Sequence, residues 1–242
     1  RQWVECSGCG LAVNVYDEKQ KNLLDKLATA YYEVDFKNSS IAEKYAKVMA
    51  LPPEKSDNAQ RVLRIHDFIN NWMKLLNSKD VVNFNVLDIG AGTGVFLARF
   101  LENASNYKWK AIAVESDPLA CKHLKSLNLF DVIEGEFPGN FHLGNFDLCT
   151  LNKIVEHISD PVHFLKEIKS VLNPERGILY IEVPDKLTIN YRPPEDNILG
   201  ALHYHLYDPK SLAYLLDKAG FIPIQIMRFF EPSGKISVAS FA

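Results

Sequence analysis

Three glycines, Gly90, Gly92 and Gly94, fall within five residues of the run VLDIGAGTGVFLARF at positions 86–100. An apolar stretch precedes them and a helix-like stretch follows. Glycine takes backbone angles that other residues avoid and leaves room for a ligand against the main chain. Gly90, Ala91, Gly92, Thr93 and Gly94 therefore read as a loop on which a ligand lies. The spacing departs from the dinucleotide pattern G-x-G-x-x-G, because the third glycine comes one residue early and Val95 takes the last slot. Asp88 stands two residues before the first glycine. A carboxylate there repels a diphosphate and suits an ammonium group. Glu115 ends the next apolar run, in AVESD, where a carboxylate accepts hydrogen bonds from both hydroxyls of a ribose. The ligand these residues imply carries a ribose and a positive charge and no diphosphate.

Such a loop needs a strand before it and a helix after it, and the chain supplies both. From Phe84 onward short β-rich runs alternate with helical ones. The strand candidates are FNVLDI, WKAIAVE, FDVIEG, FDLCTL, GILYIEV, IPIQIMRFF and KISVASF. VFLARFLENA, DPLACKHLKSL and DPVHFLKEIKSVL lie between the first five as helices, and PKSLAYLLDKAG forms a later one. Alternation of this kind implies right-handed crossovers and a mostly parallel sheet covered on both faces. EPSG joins the last two strands closely enough to make a hairpin, so one of them runs antiparallel. Ahead of this region residues 17–80 read as helical. SDNAQRVLRIHDFINNWMKLLN has Ser56 and Asp57 as capping candidates, and Val62, Ile65, Ile69, Trp72 and Leu76 fall on one helix face. Pro52 and Pro53 break the helical pattern before it. Residues 1–16 form a short zone with CSGCG and the apolar patch LAVNVY.

The 242 residues are enough for one large domain or one domain with an appendage, and 47% apolar with 24% charged residues is an ordinary globular composition. A net charge of −3 with no basic stripe argues against a nucleic-acid partner. No apolar run reaches membrane-spanning length, so no membrane partner is expected. Cys6, Cys9, Cys121 and Cys149 do not have the spacing of a secreted disulfide framework. A reducing, cytoplasmic location is the expectation.

VLDIGAGTG, AVESDP, FDLCTLNKIVEHISDPVHFLKEIKSVLNP and GILYIEVPD together resemble the successive motifs of class I S-adenosylmethionine-dependent methyltransferases, over Phe84 to Ala242. The resemblance implies a Rossmann-like three-layer αβα fold, with a seven-stranded mostly parallel sheet in the order 3-2-1-4-5-7-6 and strand 7 antiparallel. Residues 17–80, read as helical, are expected to form an N-terminal cap, and 81–242 the S-adenosylmethionine-binding domain that the resemblance implies. Asp88, Gly90 and Gly92 would line the methionine side of the cofactor, and Glu115 would hold the ribose. Ser116, Glu136 and Phe137 would lie by the adenine, and Asn152 would face the methyl end.

Methyl transfer from a sulfonium is an in-line displacement, and a base is needed only where the nucleophile must lose a proton. His157, in IVEHISDP beyond the fourth strand, is one candidate, since a neutral imidazole takes a proton from a hydroxyl. That segment is similar to quinone-biosynthesis O-methyltransferases, in which a Glu three residues before the Glu-His pair helps bind a metal; here Lys153 holds that position. His203 and His205, in LHYHLYDPKSL, are the other candidates, and on an extended stretch they point the same way. The segment partly resembles the His-Glu-His of sugar C-methyltransferases, with Tyr204 in the middle. Tyr191, Arg192 and Tyr207 lie in the same region, where substrate contacts are expected.

Cys6 and Cys9 form a C-x-x-C followed by glycine, the shape of a zinc knuckle. Two thiolates do not fill a four-coordinate zinc site, and Cys121 and Cys149 fall in a helix and a core strand. The sugar C-methyltransferases carry two such pairs before the methyltransferase core, so 1–16 is read as half of a zinc site. The functional expectation is methylation of a small molecule, such as a nucleotide-linked sugar. A non-catalytic S-adenosylmethionine-binding subunit and an NAD-dependent oxidoreductase are the alternatives. The acceptor atom and the oligomeric state are not legible.

Overall fold

A computed structural model describes residues 2–16, 40–76, 83–103, 107–139, 144–193, 199 and 203–242. Parts of the expected helical region, 17–39 and 77–82, lie outside the described residues.

Seven strands form the main sheet: β3 (Asn83–Ile89), β4 (Lys108–Glu115), β5 (Asp131–Glu134), β6 (Leu148–Asn152), β7 (Ile178–Pro184), β9 (Gln225–Phe230) and β10 (Ile236–Phe241). Their order across the sheet is β5-β4-β3-β6-β7-β10-β9. The β3–β4, β4–β5, β3–β6 and β6–β7 pairs are parallel, and β10 runs antiparallel to both β7 and β9. Counted within the sheet this is 3-2-1-4-5-7-6, with the seventh strand reversed as the EPSG hairpin requires.

The strands alternate their side chains between two apolar layers, as the two-residue period dictates. On β7, Ile178 and Tyr180 enter one core, and Leu179, Ile181 and Val183 enter the other. All seven β7 positions are buried, the pattern of a strand covered on both faces. The first core takes Val62, Ile65, Ile69 and Met73 from α2 (Asp57–Leu75), Phe96, Leu97 and Phe100 from α3 (Val95–Glu102), and Leu124 from α4 (Pro118–Leu127). The second takes Phe164, Leu165 and Ile168 from α5 (Pro161–Val171), with Leu212, Leu215 and Leu216 from α7 (Pro209–Lys218). A shorter helix, α1 (Ile41–Met49), precedes α2, and α6 (Thr188–Tyr191) follows β7.

The α2 face differs from the sequence reading at its far end. Met73 fills the core position there. Leu76 sits past the last turn and is exposed, and Trp72 packs at the margin. Ser56 caps α2 by accepting from the Ala59 amide at 3.2 Å. Asp57 instead ties the helix to the β9–β10 turn, accepting from the Ser233 amide at 2.9 Å and its hydroxyl at 2.7 Å. Asp117, Asp160 and Asp208 cap α4, α5 and α7 in the same way as Ser56.

Residues 2–15 form strands, which the sequence reading did not anticipate. β1 (Gln2–Glu5) and β2 (Ala12–Val15) make an antiparallel hairpin, and β2 pairs with β8 (His205–Leu206). Asn14 donates its side-chain amide to the His203 carbonyl at 3.1 Å, and the Tyr16 hydroxyl donates to the same oxygen at 3.0 Å. The hairpin therefore holds the segment that carries both histidines.

Candidate active site

A cavity of about 830 Å³ opens beyond the carboxyl ends of β3, β4 and β6. This is the switch point where ligands bind in open α/β sheets. The glycine loop forms its floor. Gly90, Gly92 and Gly94 have φ of 70°, 57° and 78°, in the left-handed region. The amide of Gly92 donates to Glu115 Oε2 at 2.7 Å, while Glu115 Oε1 accepts from the amides of Ser116 at 2.8 Å and Asp117 at 3.0 Å. Glu115 thus locks the loop to the end of β4 while its carboxylate lines the cavity.

Gly90 and Gly94 have different spatial reasons. A Cβ on Gly94 would meet Leu124 Cδ2 at 2.6 Å, so this glycine serves helix packing, and it lies off the cavity wall. A Cβ on Gly90 would stand 2.1 Å from Ile154 Cδ1, itself a cavity residue. Gly90→Ala is expected to cost about 2–4 kcal/mol, from left-handed backbone strain and overpacking. Its Ile154 must swing into the cavity, so calorimetry should show weakened cofactor binding alongside a lowered unfolding midpoint.

Asp88 is buried at the end of β3, opposite Thr150 in the β3–β6 register. Thr150 Oγ1 donates to Asp88 Oδ1 at 2.6 Å and Asn152 Nδ2 donates to the same oxygen at 3.0 Å. Burial pushes the Asp88 carboxyl up to about 7, against the pull of the Thr150 donor, the Arg61 charge and Asn152. Asn152 Oδ1 is buried without a hydrogen-bond partner. A carboxylate beside an orphaned carbonyl oxygen is a pair of acceptors that a cationic N–H donor satisfies.

Ser116, Glu136 and Phe137 line another part of the same cavity, where Phe137 packs edge-on against Phe164 at 5.8 Å. Ala91 and Thr93 line it as well. Of the three histidines, His157 lines the cavity; His203 and His205 are not among its lining residues. His157 ends a single 3₁₀ turn, Val155–His157, and His203 stacks edge-on against it with ring centres 4.6 Å apart. His205 is buried, and burial pushes its imidazole below the ordinary value against a backbone hydrogen bond at Ile158. Tyr207 is fully buried, and Tyr191 is exposed at the end of α6.

Some lining residues lie outside the strand-end carboxylates and the glycine loop. Asn58 and Arg61 reach the cavity from α2. Arg61 Nη1 donates to Asn58 Oδ1 at 2.8 Å and pairs with the fully buried Glu182 of β7. Lys153 lines the cavity with φ of 61° and reaches Glu231 at 2.8 Å and Glu182 at 3.4 Å. Tyr204 lines it from between the two histidines, and its amide donates to the Glu156 carbonyl at 2.8 Å.

Cys6 and Cys9 sit in the turn between β1 and β2, and both are free thiols. Hydrogen bonds from the backbone of Cys9 and Gly8, then from the Cys9 side chain, pull the Cys6 thiol below its ordinary value. Cys121 and Cys149 are buried elsewhere. Among the described residues, the group of three metal-ligand side chains that converge is Glu156, His157 and His203, and it does not include these thiols. The expected zinc site therefore remains at two ligands, too few for a structural zinc.

The strand order, the glycine loop and the carboxylates at the ends of β3 and β4 define an S-adenosylmethionine-dependent methyltransferase fold. Residues 39–226 match the methyltransferase domain family, and the chain belongs to that family. Over 154 residues it is 28% identical to the mitochondrial ubiquinone biosynthesis O-methyltransferase of Saccharomyces cerevisiae, covering 58% of this chain and 44% of that protein. The chain thus spans less than half the length of the curated relative it matches. Among solved structures, the 1,6-didemethyltoxoflavin-N1-methyltransferase of Burkholderia thailandensis superposes with a TM-score of 0.62 at 17% identity, covering 98% of this chain and 96% of that one. The CurJ carbon methyltransferase superposes at 0.57 with 12% identity, covering 96% and 72%. Oxygen, nitrogen and carbon methyltransferases share this architecture, so the fold leaves the acceptor atom open. Among the described residues, no helix is long and apolar enough to cross a membrane.

Proposed function

We propose that this chain transfers a methyl group from S-adenosylmethionine to a small molecule whose nucleophile carries a dissociable proton. The observation that carries the reading is the acceptor pair of Asp88 and Asn152 Oδ1 beside the glycine loop, with Glu115 at the next strand end. Asp88 and Asn152 would hold the ammonium of the methionine part, and Glu115 the ribose. Ser116, Glu136 and Phe137 would hold the adenine. Gly90, Ala91, Gly92 and Thr93 would supply the bare main chain beneath, Gly94 acting through the turn it makes. When bound, the cofactor supplies an electrophilic methyl on a sulfonium.

The chain's own contribution is to orient, to exclude water and to accept a proton. His157 is the base favoured by position, because of the three histidines it is the one that lines the cavity. His203, which packs edge-on against it, and His205 do not line the cavity and are assigned to shaping that wall. A cavity of about 830 Å³ fits the cofactor together with a small acceptor. A nucleotide-linked sugar is the narrower candidate, supported by the likeness of the His203–His205 segment to sugar C-methyltransferases. The cofactor-binding unit would span 81–242. Arg61 and Asn58 support a role for the preceding helices in closing the cavity.

Calorimetric titration with S-adenosylhomocysteine and with NAD tests the reading. Binding of the first and not the second is expected. Glu115→Ala should weaken S-adenosylhomocysteine by about 1–3 kcal/mol, since the ribose loses a charged acceptor and the Gly92 amide loses its anchor. Tight NAD binding, or unchanged affinity in the variant, overturns the assignment. Cofactor binding without methyl transfer to any member of a broad substrate panel favours a regulatory subunit.

A further inference from the structure

Tyr204 lines the cavity, and its backbone is fixed on both sides. Its amide donates to the Glu156 carbonyl at 2.8 Å, and its own carbonyl accepts from the Asn14 amide at 2.9 Å. Its ring packs edge-on against Tyr16, with centres 5.7 Å apart and planes at 79°. Tyr16 follows β2 and is not among the lining residues. Asn14, only 4% exposed, donates its side-chain amide to the Tyr16 hydroxyl at 2.6 Å. That side chain and the Tyr16 hydroxyl both donate to the His203 carbonyl. An aromatic side chain held at its backbone and its ring has little rotamer freedom left to lose when a ligand arrives.

The clamp comes from outside the shared domain. The β1–β2 hairpin and Tyr16 precede residues 39–226, the stretch that matches the methyltransferase family. A family's common chemistry sits in its common core, whereas the choice of partner is set by what each member adds around the site. The lining residues assigned to the cofactor come from the ends of β3, β4 and β6 and the turn after β5. Tyr204 comes from the segment after β7, bonded to the turn that carries His157. With Ile154, His157 and Ile158 it gives a stretch of wall made of one aromatic ring, two aliphatic side chains and one imidazole.

We infer that Tyr204 is a specificity-determining residue that receives the acceptor through a ring with an apolar face, and that the N-terminal hairpin holds Tyr204 for this task. The inference deepens the methyltransferase reading and rests on it. An aromatic ring stacks on the tyrosine, and a pyranose lays its C–H face on the same surface. An acyclic polar acceptor gains neither contact. Tyr16 acts through Tyr204 and is a positioning residue: it keeps the cavity ring at one angle.

The test uses the whole protein, carrying labelled tyrosine and saturated with S-adenosylhomocysteine. Phenol and methyl β-D-glucopyranoside are the two probes, and the tyrosine ring signals are followed by NMR as each is added. Tyr204→Phe assigns the Tyr204 signal. That signal should shift saturably with at least one probe, phenol marking an aromatic acceptor and the glucopyranoside a sugar, while the exposed Tyr191 and Tyr214 stay still. Tyr16→Ala removes the ring packed on Tyr204 and should weaken that probe about three- to tenfold. Tyr16→Phe keeps the ring and should restore most of the affinity. If Tyr16→Ala does not fold, Tyr204→Leu takes its place, followed from the probe's own signals, with the same loss expected. A Tyr204 signal that neither probe moves, a shift shared by Tyr191 and Tyr214, or undiminished probe affinity in the variant overturns the inference. Calorimetry on the same samples keeps the two readings apart. S-adenosylhomocysteine should bind the Tyr16 variants as tightly as the wild type, and an equal loss of cofactor and probe overturns the acceptor role. Failure of the wild type to bind it defeats the cofactor assignment instead.

Discussion

Asp88→Asn is expected to raise the dissociation constant for S-adenosylhomocysteine about 100-fold and, at the same time, to stabilise the ligand-free protein. Both effects have one cause. Asp88 is a buried carboxyl whose value stands at about 7. Keeping it as an anion above that pH costs on the order of 4 kcal/mol, which an ammonium held beside it, as proposed, would offset. The linkage has a definite sign. At pH below the ordinary carboxylate range, Asp88 is neutral in both folded and unfolded chains. As pH rises from about 4 to about 7 the unfolded chain ionises first, and the folded state loses stability across that window. Asparagine removes that loss, so the ligand-free variant should gain about 1–3 kcal/mol above neutrality.

Binding has the opposite dependence on pH. In the proposed contact the ammonium needs the ionised carboxylate, so wild-type affinity should fall by up to about tenfold per unit as pH drops below 7. The variant's weak affinity should stay flat. Calorimetry across this range in buffers of different ionisation enthalpy would register the proton released on binding. Wild-type affinity independent of pH, or a variant that binds normally, would remove Asp88 from the site.

The second large effect belongs to stability. Glu182 is fully buried on β7 and pairs with Arg61, with Arg64 at 2.6 Å and with Lys153 at 3.4 Å. The Tyr180 hydroxyl donates to it at 2.6 Å. Burial alone would push this carboxyl up, but the Arg61 and Lys153 charges and the Arg61 hydrogen bond outweigh it and hold it well below the ordinary range. Its contribution is therefore complete at neutral pH and lost only as pH falls below the usual carboxylate values. Glu182→Gln leaves buried cations without their counter-charge and should cost about 3–5 kcal/mol in urea unfolding. Arg61 would also lose its anchor at the cavity wall, so S-adenosylhomocysteine binding should weaken as well. A loss below about 1 kcal/mol would show that the network behaves as a solvated surface pair.

The seven strands were legible because each rests on a local pattern: a short apolar run, a capping aspartate, a proline at a helix start; their order across the sheet came only from the resemblance to class I methyltransferases. The same holds for Asp88, Glu115 and the glycine loop, which sit where strand, turn and helix meet within a few residues. The α2 face follows its helical period except at its end, where Leu76 caps the helix and is exposed while Met73 fills the core position. The β1–β2 hairpin escaped notice because its four-residue strands gain their support from β8, some 190 residues away along the chain. No local pattern carries that pairing.

The amino-acid order by itself determined the strands and the glycine loop between β3 and α3, because periodicity and turn chemistry act between near neighbours. The tertiary structure alone decided that His157 lines the cavity while His203 and His205 do not, that Arg61 joins it from α2, and that Glu156 and Glu182 lose contact with water. Those outcomes depend on which distant segments close around a side chain, and burial and charge pairing are properties of the assembled surroundings rather than of the residue or its immediate neighbours.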